Sequence, residues 1–229
     1  MRFAIQLCGY GVGLPLELLI IAALLRGGYR RFPFIFAYII VEFLTTVLEI
    51  PAYVAYYTGH PFATGHGRAY YYWLDEGVLQ ALIFAVVISL VYHATAKLGS
   101  RRIVRASLVG GAILFAGASF LIHFQHGVVA GTWMTPWTRD LSFSSTILDL
   151  ALWAMLIASR EKDHRLLMLS GALGIQFTGE AIGESLRHLS RSAVFPGNVL
   201  IMLTNLLFLY IWWQALRTAP ARQPSGVTL

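Results

Sequence analysis

Apolar runs of membrane-crossing length decide what this chain can become. Seven follow one another, at roughly 3–25, 33–57, 71–96, 104–124, 141–158, 166–186 and 195–216. A helix rises about 1.5 Å per residue, so about 17–25 residues cross the hydrocarbon of a bilayer. The runs are too long, and alternate too little, for spanning strands. Lipid offers no water to open peptide groups, and a helix satisfies them internally. The sequence therefore predicts an all-α polytopic integral membrane protein with seven transmembrane helices in one bundle. Composition agrees: 57% of residues are hydrophobic and 12% charged, against about 25% charged in soluble domains. Residues 1–217 form one transmembrane domain, and the polar tail 218–229 reads as disordered.

Lys and Arg orient the bundle. Arg26, Arg30 and Arg31 lie in the first connection, Lys97, Arg101, Arg102 and Arg105 at the third. Arg160, Lys162 and Arg165 mark the fifth, and Arg217 and Arg222 the tail. That side collects twelve basic residues and the other five. The positive-inside rule puts the N-terminus outside and the C-terminus in the cytoplasm. A bacterial inner (cytoplasmic) membrane is the expected location, with the lipid bilayer as first partner. The formal charge of +6 then reads as orientation and headgroup contact, with no nucleic acid implied. Cys8 is the one cysteine, so no internal disulfide forms. The first run lacks a small-residue cleavage site and reads as a retained span.

The acids are the anomaly. Eight of the eleven sit in or beside the apolar runs, with Asp140, Glu161 and Asp163 assigned to loops. Glu17, Glu42 and Asp149 fall near mid-membrane and Glu49 in the outer half of its span, while Asp75 and Glu76 open the third span. Along the sixth span Gln176, Glu180, Glu184 and His188 recur every four residues, on one side of a helix. Glu180 lies about 21 Å from the cytoplasmic edge at helical rise. No Lys or Arg lies deep in any span. A carboxylate in lipid costs at least about 2.5–3.5 kcal/mol. The acids are therefore expected to face one another around an acidic cavity open to the outside. Gly179 and Gly183 form a small-xxx-small pair on the same span and read as a close helix–helix contact.

Cofactor chemistry narrows less. His123, His126, Glu184 and His188 are ligand types for a divalent metal such as zinc, and two His at i, i+3 can share a face. The lysines are Lys97 and Lys162, both outside the spans, so a lysine-linked retinal is excluded although the seven-helix, N-terminus-out topology resembles rhodopsins. His93 and His123 lie toward opposite faces and do not pair as haem ligands.

An internal repeat is also legible. Glu17 and Glu49 are 32 residues apart, Asp149 and Glu180 are 31 apart, and each first acid is followed by an apolar stretch and a basic turn. Spans one to three and five to seven would then be parallel repeats joined by the fourth. That arrangement is similar to sugar-exporter and PQ-loop transporters, although their Pro-Gln dipeptide is absent from the spans.

Three functions fit. The first is a binding bundle that transports or senses a small cationic or proton-coupled solute. The second is an accessory subunit whose acids meet a protein partner or another copy of the chain. The third is a metal-dependent enzyme with an outer-face site. No catalytic residue stands out, and the small ligand is not named.

Overall fold

The computed structural model describes the backbone of residues 2–58, 66–96, 102–124, 130–158, 163–190 and 192–217. Side chains are described for these apart from 2–4, 6, 52, 53, 55–58, 66–75, 96, 102–105, 108 and 130–132. The tail 218–229 and His126 lie outside the described residues.

Every expected span is a helix: α1 (Arg2–Ala23), α2 (Pro33–Thr58), α3 (His66–Ala96), α4 (Arg102–His123), α5 (Ala130–Ala158), α6 (His164–Leu189) and α7 (Val194–Arg217). Between α1 and α2 the chain widens into a π-type turn, Leu24–Gly28, and reverses at Gly27, whose φ of 123° suits glycine alone. Asp163 caps α6, its carboxylate accepting from the Leu166 N–H at 3.3 Å.

Two expectations change. α5 starts well before residue 141, so Asp140 lies within a helix and not in a loop. It is tolerated there because Ser119 and His123 of α4 both hydrogen-bond its Oδ2, at 2.7 and 3.1 Å. Among the described residues, six helices are long and apolar enough to cross a membrane, whereas the apolar part of α4 is the shorter Val109–His123. Arg102 and Arg105 take up its first turn.

The helices close a ring in the order α1, α2, α3, α5, α6, α7, with α4 laid outside against α3 and α5. The ring is inverted relative to a soluble protein. Glu17 is 2% exposed and Asp149 3%, while Leu48 and Leu114 are each 74% exposed. An apolar coat, with a few carboxyl groups buried inside an otherwise apolar core, fits a bundle bathed in lipid.

Close packing in such a bundle comes from shape more than from the hydrophobic effect. α6 and α7 touch through glycines: a Cβ on Gly197 would sit 2.7 Å from the Gly183 carbonyl oxygen, and Gly179 rests against Thr204. The glycine pair expected to mark a close contact does so. The large apolar core gathers toward the arginine-rich end, around Phe32, Tyr38, Leu90, Leu169, Phe208 and Trp212. There the Trp212 indole N–H donates to the Leu169 carbonyl at 3.1 Å.

The burial pattern is compatible with the expected repeat. Gly13, Glu17, Ile20 and Leu24 of α1 are buried, and so are Ser145, Asp149, Leu152 and Leu156 of α5, each 132 residues later. In α2, Ile35, Tyr38, Ile39 and Glu42 match Leu166, Leu169, Ser170 and Leu173 of α6 at an offset of 131. In α3, Ile83, Phe84, Val87, Leu90 and Val91 match Phe208, Leu209, Trp212, Ala215 and Leu216 of α7 at 125. Neighbours map as well: α1 on α2 answers α5 on α6, α2 on α3 answers α6 on α7, and α1 on α7 answers α5 on α3. Of the acids Glu17 and Asp149 match, while Glu42 stands opposite Leu173 and Glu49 is exposed where Glu180 is half-buried.

Candidate cation site

Glycine opens the site. Gly9, Gly13 and Glu17 lie at four-residue steps on one side of α1. Where side chains would otherwise fill the groove against α7, a cavity of about 250 Å³ remains. Tyr10, Thr46, Asn198 and Met202 are among its walls, and Glu17 and Asn205 supply its deepest polar groups. It occupies the end of the ring away from the arginines, where α1 and α7 begin.

Behind that floor, beyond the lining of the cavity itself, lies a polar cluster to which four helices contribute. α2 supplies Tyr38 and Glu42 one turn apart, α6 supplies Gln176 and Glu180 one turn apart, α1 supplies Glu17 and α7 Asn205. Glu42 lies close enough to Tyr38 and Asn205 for both side chains to act on its carboxyl, and it feels the charges of Glu17 and Glu180. The Gln176 amide donates to Glu180 Oε1 at 3.1 Å.

The unmet hydrogen-bonding capacity is one-sided. Glu17 Oε2, Glu42 Oε2, Gln176 Oε1 and Asn205 Oδ1 are buried and have no partner; the amide oxygens are acceptors, and the carboxyl oxygens are acceptors when ionised. Each such group costs about 1–3 kcal/mol, more when charged. No basic side chain among the described residues acts on Glu17, Glu42 or Glu180. The charged groups that do are these acids themselves with Glu76 and Glu184. Among the described residues the site has fewer donors than its oxygens can use and no positive charge, and a ligand bringing both would complete it.

Of the residues singled out in the sequence, Glu17, Glu42, Gln176 and Glu180 are brought together. Asp149 is not among them. It stands on α5, accepts from the Ser170 hydroxyl at 2.7 Å, and lines a separate apolar groove of about 700 Å³ between α5, α6 and α7. Glu49 and Glu76 are exposed on the bundle surface. Glu184 is exposed and paired with Arg187 one turn on, and His188 is exposed. The side chain of Asp75 lies outside those described. His123 bonds Asp140 at 3.1 Å, and among the described residues no three His, Cys, Asp or Glu side chains gather as a metal site. The zinc candidates His123, Glu184 and His188 are therefore spread over the bundle.

Sequence reasoning left out Tyr38 and the cavity wall and gave Asn205 no role. Tyr38 stands four residues before Glu42, and Asn198 and Asn205 are seven apart, so each pair shares a helix face. That spacing was the available signal. No protein-family model matches the chain, and no curated protein or solved structure matches it either.

Proposed function

We propose that the chain is a seven-helix membrane protein, N-terminus outside, that binds a small organic cation carrying N–H donors in the outward-facing cavity between α1 and α7. A primary ammonium or a guanidinium on a short apolar body is the ligand class. The observation that carries this reading is the set of four partnerless buried oxygens around two acids on which no basic side chain among the described residues acts. N–H donors on a cation answer the hydrogen-bond deficit and the charge deficit at once.

The wall supports an organic body. Met202, Val199 and Leu206 present apolar surface above Glu17, and Tyr10 and Phe195 add aromatic rings, which suit an alkyl chain and a cation alike. Orientation rests on the twelve basic residues gathered at the opposite end.

The test is equilibrium binding of propylguanidinium to the purified protein in detergent. Its charge is permanent, so bilayer leakage of a neutral form does not arise in later flux work. Saturable binding by the wild type, abolished in Glu17→Gln, is expected. A wild type that takes up no propylguanidinium, or butylammonium in parallel, at millimolar concentration overturns the reading.

A further inference from the structure

We infer that the bundle is a carrier caught open on one side: the two three-helix units, α1–α3 and α5–α7, hinge on one another, and Tyr38, Phe208 and Trp212 form the gate that now shuts the arginine-rich end. This rests on the cation-binding reading and adds passage across the membrane to it.

The two units meet at two seams, α1 with α7 and α3 with α5. By the shared register these seams are equivalent, yet they are packed differently. At the first, Gly9 and Gly13 leave the cavity open. At the second, Leu141 and Ser145 stand at the matching places of α5 and are both buried, and Met134 closes over Gly77 of α3. One seam is hollow toward the N-terminal end of α1, and its counterpart is filled.

At the other end contacts between the units close the ring. Tyr38 of the first unit meets Phe208 and Trp212 of the second edge-on, with ring centroids 6.4 and 5.9 Å apart. Tyr38 sits one turn beyond Glu42 toward the arginines, so a cation released from the acids must pass these rings. Farther out, Arg31 in the turn before α2 reaches Asp163, the cap of α6, 3.8 Å away. That ion pair also joins one unit to the other.

The buried amides support two matched units. Gln80 of α3 is the register mate of Asn205 of α7, and each keeps a buried amide atom without a partner, Nε2 in one and Oδ1 in the other. Glu17 and Asn205 line the cavity at the first seam, whereas Asp149, at the place matching Glu17, is bonded by Ser170 of α6. Packed interfaces of this kind switch between discrete arrangements. A repeat pair around a central site is the usual framework for alternating access.

The experiment locks the closed end. In a Cys8→Ser background, Arg31→Cys and Asp163→Cys are joined by a reducible bifunctional thiosulfonate. Propylguanidinium binding is measured in detergent, and its exchange is followed in proteoliposomes. Wild type is expected to bind and exchange. The cross-linked protein is expected to bind within twofold of wild type but exchange at least tenfold more slowly, with recovery on reduction. A cross-linked protein that exchanges at the wild-type rate overturns the inference, because the gate end then does not move. A wild type that binds but never exchanges also overturns it, leaving a receptor. Absence of binding strikes instead at the cation-binding reading, and the carrier falls with it.

Discussion

The two three-helix units share a framework and differ in where they keep their space. In the first unit, glycines at positions 9 and 13 hollow the inside of the ring beside Glu17. In the second, the matching positions are Leu141 and Ser145, and the inside is full. Its glycines lie instead on the side of α6 that faces α5, where Gly171 and Gly174, against Trp153 and Asp149, stand in the places of Ile40 and Phe43. They open the groove toward the bundle exterior. The treatment of the paired acids differs too. Asp149 receives the Ser170 hydroxyl at 2.7 Å, whereas the register mate of Ser170 is Ile39, which has nothing to donate to Glu17. One repeat has met its acid's need internally, and the other has left it for a ligand.

Copying the filled unit into the hollow one has the largest expected effect. Gly9→Leu reproduces Leu141. A Cβ there would sit 2.5 Å from the sulfur of Met202, whose flexible side chain can move aside, and leucine favours helix over glycine. The bundle should fold, and the leucine should occupy the cavity mouth. Propylguanidinium binding is expected to fall at least roughly a hundredfold, equivalent to about 2.7 kcal/mol, with thermal unfolding in detergent unchanged or later. Retained affinity would mean that the ligand sits elsewhere.

Next in size is removal of the donor from the satisfied acid. Ser170→Ala leaves a buried Asp149 oxygen without its partner, at a cost of about 1–3 kcal/mol. Unfolding should come at lower temperature, while cation binding at Glu17 stays as it was. The reverse exchange is smaller. Ile39→Thr offers Glu17 a hydroxyl at the position where Asp149 has one. A neutral hydrogen bond contributes about 1 kcal/mol net, so the empty site is stabilised and propylguanidinium binds about fivefold more weakly. If Ile39→Thr leaves affinity untouched, the register match between Ile39 and Ser170 does not extend to their acids.

The framework was legible in the sequence because lipid imposes a length and polarity rule on every span, and the apolar runs obey it. The repeat was legible for a similar reason: Glu17 and Asp149 stand out against leucine. Convergence was harder to read. Glu17, Glu42, Gln176 and Glu180 do meet, but Asp149 turns away because its helix lies opposite α1 in the ring, and ring order is not written in any one span. Glu49, Glu184 and His188 looked equivalent to the buried acids by depth alone, yet a helix face can look at lipid or water as easily as at the interior. The hollow itself came from an absence of side chains at Gly9 and Gly13, which reads as packing until the partner helix is known. Asp140 was misjudged because polar Thr138, Arg139 and Ser142 around it resemble a loop, and only the neighbouring α4 supplies the donors that make it tolerable in a helix.

The smallest expected effect concerns the ion pair between the units. Asp163 does two jobs: it caps α6 through Leu166 and faces Arg31 across the seam at 3.8 Å. Asparagine keeps the cap, since its side-chain oxygen accepts from the same N–H, and removes the charge. The side chain of Arg31 is 43% exposed, so solvent screens the pair and its worth is within about 1 kcal/mol. Arg165 adds a bias, because Arg31 and Asp163 are the charges that act on it. Without Asp163 two arginines repel across the joint. Asp163→Asn should therefore loosen the closed end and raise propylguanidinium exchange in proteoliposomes about two- to fivefold. The gain should fade as salt shortens the Debye length toward about 3 Å at 1 M. Exchange that rises equally at all salt concentrations would point to a change in α6 itself, and exchange that falls would mean that Asp163 holds the bundle together at this end without latching it.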